Sequence, residues 1–111
     1  MKQKGTPLLF VARRGNGEVS AVAVQRTIYF SGQVQGVGFR YTAYRLAADF
    51  NVVGFVKNLA DGRVQVVAEG EPEEIDRLVE AIRSRMRGYI RDVQSSESPA
   101  TGRFSRFDVA F

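Results

Sequence analysis

TIYFSGQVQGVGFRYTAYRLAADF, Thr27 to Phe50, changes its hydrophobic period halfway along. Before the change, Val22, Val24, Ile28 and Phe30 share one parity, broken by Arg26, as in a strand with one buried face. Gly32, Gly36 and Gly38 then interrupt the pattern. Beyond them Phe39, Ala43, Leu46, Ala47 and Phe50 recur at helical spacing, with Thr42, Arg45 and Asp49 off the stripe. The segment therefore predicts a strand, a glycine-bearing turn, and an amphipathic helix that starts near Phe39 or Arg40.

Downstream, Val52 to Leu59 is rich in β-branched and aromatic residues and predicts a second strand, closed by the hairpin signal Asp61-Gly62. Val64, Val66 and Ala68 alternate with Arg63, Gln65 and Glu69 as a third strand. Pro72 suits the first position of a second helix, and Glu71, Glu73 and Glu74 complement its positive end. Ile75, Leu78, Val79, Ile82 and Met86 form its apolar stripe. Arg83, Arg85 and Arg87 occupy its last turn, and Gly88 ends it. Tyr89 to Ser95 predicts a polar strand near a sheet edge, Ser96 to Gly102 a loop containing Pro99, and Phe107, Val109 and Phe111 a last strand. The order is strand, helix, strand, strand, helix, strand, with one extra strand before the last. It predicts an α+β fold, a ferredoxin-like α/β sandwich with a mostly antiparallel five-stranded sheet and two helices on one face. That arrangement hosts many activities and settles none.

Upstream, residues 1–21 read as a flexible N-terminal extension ahead of a single domain at 22–111. The other reading of the start is a hairpin, Leu8 to Ala12 with Val19 to Val24, joined across Gly15-Asn16-Gly17. The chain of 111 residues, 44% apolar, can build one core. Its apolar runs are too short to span a membrane, and Leu8 to Val11 is too short for a signal peptide, which predicts a cytoplasmic protein. The chain has no cysteine and no histidine. Disulfides, thiolate chemistry and cysteine or histidine metal sites are excluded, as is the commonest general base. The net charge of +4 favours an anionic partner only mildly.

The chemistry is concentrated in GQVQGVGFR, Gly32 to Arg40. Backbone N–H groups at a helix start lack intrahelical partners and, with the helix dipole, attract an anion. Glycines let the loop turn and keep side chains away from the bound oxygens. The dipole contributes only about 0.3–1 kcal/mol when exposed, so a firm grip needs a full charge. Arg40 supplies one, and its planar fork can hold two phosphate oxygens. No Gly-Lys-Ser or Gly-Lys-Thr follows, so this is not a nucleoside-triphosphate loop, and the dinucleotide glycine spacing is absent. Taken alone, the segment reads equally well as a tight turn beside a surface arginine. In VKNLADGRV, Asn58 ends the second strand. Its amide offers donors and an acceptor that could hold a water and an acyl oxygen, although an asparagine before a turn is commonly a turn former.

GQVQGVGFR followed by VKNLADGRV closely resembles the paired signature of the acylphosphatase family. AEGEPEEIDRLVEAI, Ala68 to Ile82, is similar to the family's third strand and second helix, and FSRFDVAF, Phe104 to Phe111, to its closing strand. The resemblance covers Val24 to Phe111. It implies hydrolysis of acyl phosphates to a carboxylate and inorganic phosphate, with no metal, cofactor or phospho-enzyme. It also implies that Arg40 is the essential arginine, that Asn58 positions water, and that the phosphate loop is Gly32 to Phe39. The phosphate-binding positions are then Gln35, Gly36, Val37, Gly38, Phe39 and Arg40. Gln33 stands where the family often has arginine, which bears on substrate preference.

Two other functions fit parts of the sequence. One is a non-catalytic module that binds phosphate or carbamoyl phosphate, because similar domains begin larger carbamoyl-transfer proteins; a chain that finishes on its own closing strand favours the free-standing enzyme. The other is single-stranded RNA binding, which needs a basic-aromatic central strand that GFVKN matches poorly. Tyr41 and Tyr44 read as partly buried helix residues rather than site residues, and the three arginines at 83, 85 and 87 as a solvated helix end.

Overall fold

The computed structural model describes residues 11–13 and 19–111, with side chains from residue 22 onward. Two short strands, β1 (Val11–Arg13) and β2 (Val19–Val22), pair antiparallel, with Val11 opposite Val22. Of the extension predicted at 1–21, residues 1–10 and 14–18 lie outside the described residues, as does the Gly15-Asn16-Gly17 turn of the hairpin reading.

The main sheet contains β3 (Val24–Gly32), β4 (Val52–Asn58), β5 (Val64–Gly70), β6 (Ile90–Pro99) and β7 (Phe107–Ala110), in the spatial order β6-β3-β5-β4-β7. Every neighbouring pair is antiparallel except β4 and β7, which run parallel. The sheet is therefore mixed, within the mostly antiparallel ferredoxin-like class that the element order predicts. Two helices, α1 (Phe39–Ala47) and α2 (Pro72–Arg85), pack on one face.

Side-chain alternation explains the core. Ile28 and Phe30 of β3, Val56 of β4, and Val64 and Val66 of β5 point toward the helices and are buried there. Ile75, Leu78 and Ile82 of α2 meet them as the predicted stripe, with Phe39 and Ala43 from α1. The Phe30 and Phe39 rings lie 5.0 Å apart between centroids and tilted by 55°. They fix the first residue of α1 against the end of the strand that precedes it.

Several boundaries differ from the sequence reading: α2 ends at Arg85, short of Arg87, and Val22 belongs to β2 and not to β3. β6 continues to Pro99 instead of giving way to a loop at Ser96, because β3 pairs with it as far as Val24 opposite Pro99. The ladder comes from the partner, so a polar sequence at the sheet edge can be a strand, and an edge tolerates proline. The last strand stops at Ala110, and Phe111 beyond it is 93% exposed.

β6 and β7 lie at opposite edges, so the segment 100–106 must cross the sheet. Its contacts are with the helix-free face. The buried Glu69 carboxylate accepts hydrogen bonds from Thr101 N (2.8 Å), Thr101 Oγ1 (2.7 Å), Gly102 N (3.0 Å) and Gln25 Nε2 (2.6 Å). Phe104 packs on Phe55 of β4, with ring centroids 5.9 Å apart. Glu69, Gln25 and Phe55 all have the parity opposite to the core residues of their strands. No helix among the described residues is long and apolar enough to cross a membrane.

Candidate active site

The three glycines from the end of β3 to the start of α1 have two different tasks. A Cβ on Gly32 would lie 2.4 Å from Tyr89 O, and Gln33 N donates to the same carbonyl at 2.9 Å. Gly32 therefore admits the backbone before β6. Gly36 and Gly38 face open space and adopt φ of 79° and 80°, left-handed values that a side chain disfavours. They turn the loop so that Gly38 caps α1, whose first closing bond runs from Thr42 N to Gly38 O at 2.9 Å.

The start of α1 reverses the usual electrostatics. α2 begins with Glu73 and Glu74 in its first turn, as its positive end favours. α1 has no acidic residue in its first turn and no side-chain cap; its second residue is Arg40. Two sources of positive potential coincide there, which favours an incoming anion. None of the ion pairs among the described residues includes Arg40. Its neighbours are the Ala110 carbonyl, 3.5 Å from one terminal nitrogen, and the Phe111 ring, whose centroid lies 4.8 Å from the guanidinium carbon.

Asn58 closes β4 and pairs across the hairpin with Val64. Its Oδ1 is buried and has no hydrogen-bond partner among the described residues. Such an acceptor costs about 1–3 kcal/mol, a loss that native structures tolerate chiefly where the atom has another use. The turn after it is closed by its own side chains. Arg63 donates its backbone N–H (3.1 Å) and its side-chain Nε (2.9 Å) to the Asp61 carboxylate. The backbone hydrogen bond, with the guanidinium beside it, holds the Asp61 carboxyl below its ordinary range.

Arg40 and Asn58 open onto one cavity of about 330 Å³, which Gly36, Gly38 and Phe39 also line. Of the other loop positions predicted to bind phosphate, Gln35 and Val37 are not on its wall. Val37 packs on the core, and the Gln35 side chain reaches the β4–β5 turn, where Nε2 donates to Leu59 O (2.8 Å) and Arg63 O (2.9 Å). Gln33 is exposed.

The sequence reading missed three contributors to the cavity. Tyr41, read as a partly buried helix residue, lines it and is 59% exposed; Tyr44 beside it is also exposed. Val109 and Phe111, read only as closing-strand residues, line it as well. Their role depends on β7 lying beside β4, a pairing that no local pattern carries.

Comparison with known proteins follows this geometry. The family profile described as Acylphosphatase matches residues 26–109. An acylphosphatase of Archaeoglobus fulgidus is 51% identical over 85 residues, which are 76% of this chain and 94% of that protein. The crystal structure of acylphosphatase from Bacillus subtilis superposes with a TM-score of 0.71 at 33% identity, covering 79% of this chain and 99% of that one. The HypF structure from T. kodakarensis matches with a TM-score of 0.69 at 32% identity, covering 78% of this chain but only 12% of that much longer one. Profile, identity and superposition point the same way, and the profile spans both motifs: the chain belongs to the acylphosphatase family.

Proposed function

We propose that the protein hydrolyses acyl phosphates, the mixed anhydrides of carboxylic and phosphoric acids, to a carboxylate and inorganic phosphate. The observation that carries this reading is the Arg40 guanidinium at the positive end of α1, without a carboxylate partner among the described residues, on the same cavity as Asn58. The phosphoryl group sits against the loop amides near Gly36, Gly38 and Phe39, with the Arg40 fork on its oxygens. Asn58 holds a water in line with the phosphorus. As the water oxygen bonds to phosphorus, the phosphorus–acyl oxygen bond breaks, and its electron pair leaves with the carboxylate. The water's proton passes to a phosphoryl oxygen.

An acyl phosphate has a good leaving group, so positioning and charge stabilisation can supply most of the catalysis. Arg40 and the amides grip more strongly as charge shifts on the phosphoryl oxygens, which is the condition for accelerating the step. We place the reaction in the cytoplasm, in keeping with a chain that carries no cysteine.

Hydrolysis of benzoyl phosphate in the presence of a chelator tests the assignment. Arg40→Ala is expected to lose at least about 100-fold in kcat/KM and to bind inorganic phosphate more weakly. Asn58→Ala is expected to lose turnover while keeping phosphate affinity. Parent-like hydrolysis by both variants would refute the site.

The likeness to a small part of HypF favours one other reading, a phosphate-binding module without turnover. Phosphate binding by a parent protein that hydrolyses no acyl phosphate would establish it. The RNA reading wants open aromatic rings on the sheet. On the helix-free face of β3 and β5, Tyr29 is the aromatic residue, and the Arg63 guanidinium covers its ring at 4.4 Å.

A further inference from the structure

The two halves of the site come from strands that do not touch. The phosphate loop leaves the end of β3 and Asn58 ends β4, but β5 lies between these strands. Two strand spacings separate them, about 9–10 Å. Transition-state geometry tolerates little error: a misplacement of about 1 Å can cost 10²-fold in rate. Something must set the loop's distance from the asparagine.

We infer that Gln35 is the positioning residue that does so, an inference that rests on the hydrolase reading. Its side chain runs from the residue before Gly36 to the base of the hairpin that Asn58 opens. The two hydrogens of its amide are both used, one on Leu59 O at 2.8 Å and one on Arg63 O at 2.9 Å. Leu59 directly follows Asn58. Both carbonyls already accept one bond inside the turn, from Gly62 N at 3.1 Å and Leu59 N at 2.8 Å, so the Gln35 amide completes their capacity. A single planar group thus ties the loop to both sides of the hairpin neck. Gln35 is not among the residues that line the cavity; it acts through Asn58. The residue must donate twice and carry no charge, which glutamine does and glutamate, leucine or methionine does not.

The test uses the full chain, benzoyl phosphate turnover, and inorganic phosphate binding by calorimetry. Gln35→Leu removes both donors at similar volume. It is expected to lower kcat by about 10- to 100-fold, with phosphate affinity within about threefold of the parent, because Arg40 and the loop amides remain. Gln35→Glu adds a readout that mere packing would not move. A carboxylate facing two carbonyl oxygens is repelled, so its pKa rises, and its neutral form regains one donor. The ratio of its kcat to that of the parent should therefore climb as pH falls, while the ratio for Gln35→Leu stays flat.

With an active parent, a Gln35→Leu kcat within twofold of the parent overturns the inference alone. So does a parallel fall of turnover and phosphate affinity, which would make Gln35 part of the anion grip. Should Gln35→Leu fail to fold, the pH ratio of Gln35→Glu decides: a flat ratio overturns the inference and a rising one supports it. A parent that binds phosphate without turnover overturns the hydrolase reading, and this role with it.

Discussion

Arg40 occupies a place where helix electrostatics favour a carboxylate, and the residues around it offer a carbonyl and a ring instead of a counter-charge. Its position was legible because the glycine loop and the helical period meet there in the sequence. The Asn58 oxygen, without a partner among the described residues, was not, because burial at a strand end depends on what packs above it. Glu69 was likewise read only as an outward residue of an alternating strand. It is fully buried because segment 100–106 folds over it. Burial alone would raise its carboxyl pKa, but four donors from Thr101, Gly102 and Gln25 outweigh that and hold it below the usual 4.5. A depressed folded-state value stabilises the protein above the unfolded value and ceases to as pH falls through the folded one. Glu69→Gln should thus cost about 1–3 kcal/mol at neutral pH, since its amide would set N–H groups against N–H groups. Urea unfolding at a series of pH values checks this: the gap between parent and variant should narrow below pH 4.5.

Among the elements, the helices and the three inner strands follow from their periods. α2 begins at the predicted Pro72, and α1 at Phe39, the first of the two starts predicted. The edge strands were less legible. β6 has few apolar residues and owes its length to the ladder offered by β3, which no period within 90–99 reports. The β3–α1 loop gives a prediction at this scale. Its glycines look interchangeable in sequence, but an added Cβ at Gly38 meets nothing within 4 Å, whereas one at Gly32 collides with the β6 backbone. Gly38→Ala should lose about 1–2 kcal/mol, the cost of a left-handed φ on a residue with a side chain. Gly32→Ala should lose more, because strand pairing must yield as well. Denaturant midpoints of the two variants would rank them, and the opposite order would contradict the close approach at Tyr89.

For the molecule as a whole, ligand binding and folding draw on the same contacts. Inorganic phosphate at 100 times its dissociation constant should stabilise the protein by about 2.7 kcal/mol, and Arg40→Ala should lose most of that gain in a thermal-shift titration. The cavity wall also takes Val109 and Phe111 from beyond a crossing that spans the sheet from edge to edge. Arg40 and its Ala110 contact are 70 residues apart in the chain. Closing so long a loop is slow compared with winding a helix. An excised helix or hairpin, lacking most of that wall, is expected to show no turnover. After dilution from urea, turnover should reappear no sooner than the far-ultraviolet circular dichroism signal, a partly assembled chain staying chemically silent until its final strand slots in beside β4.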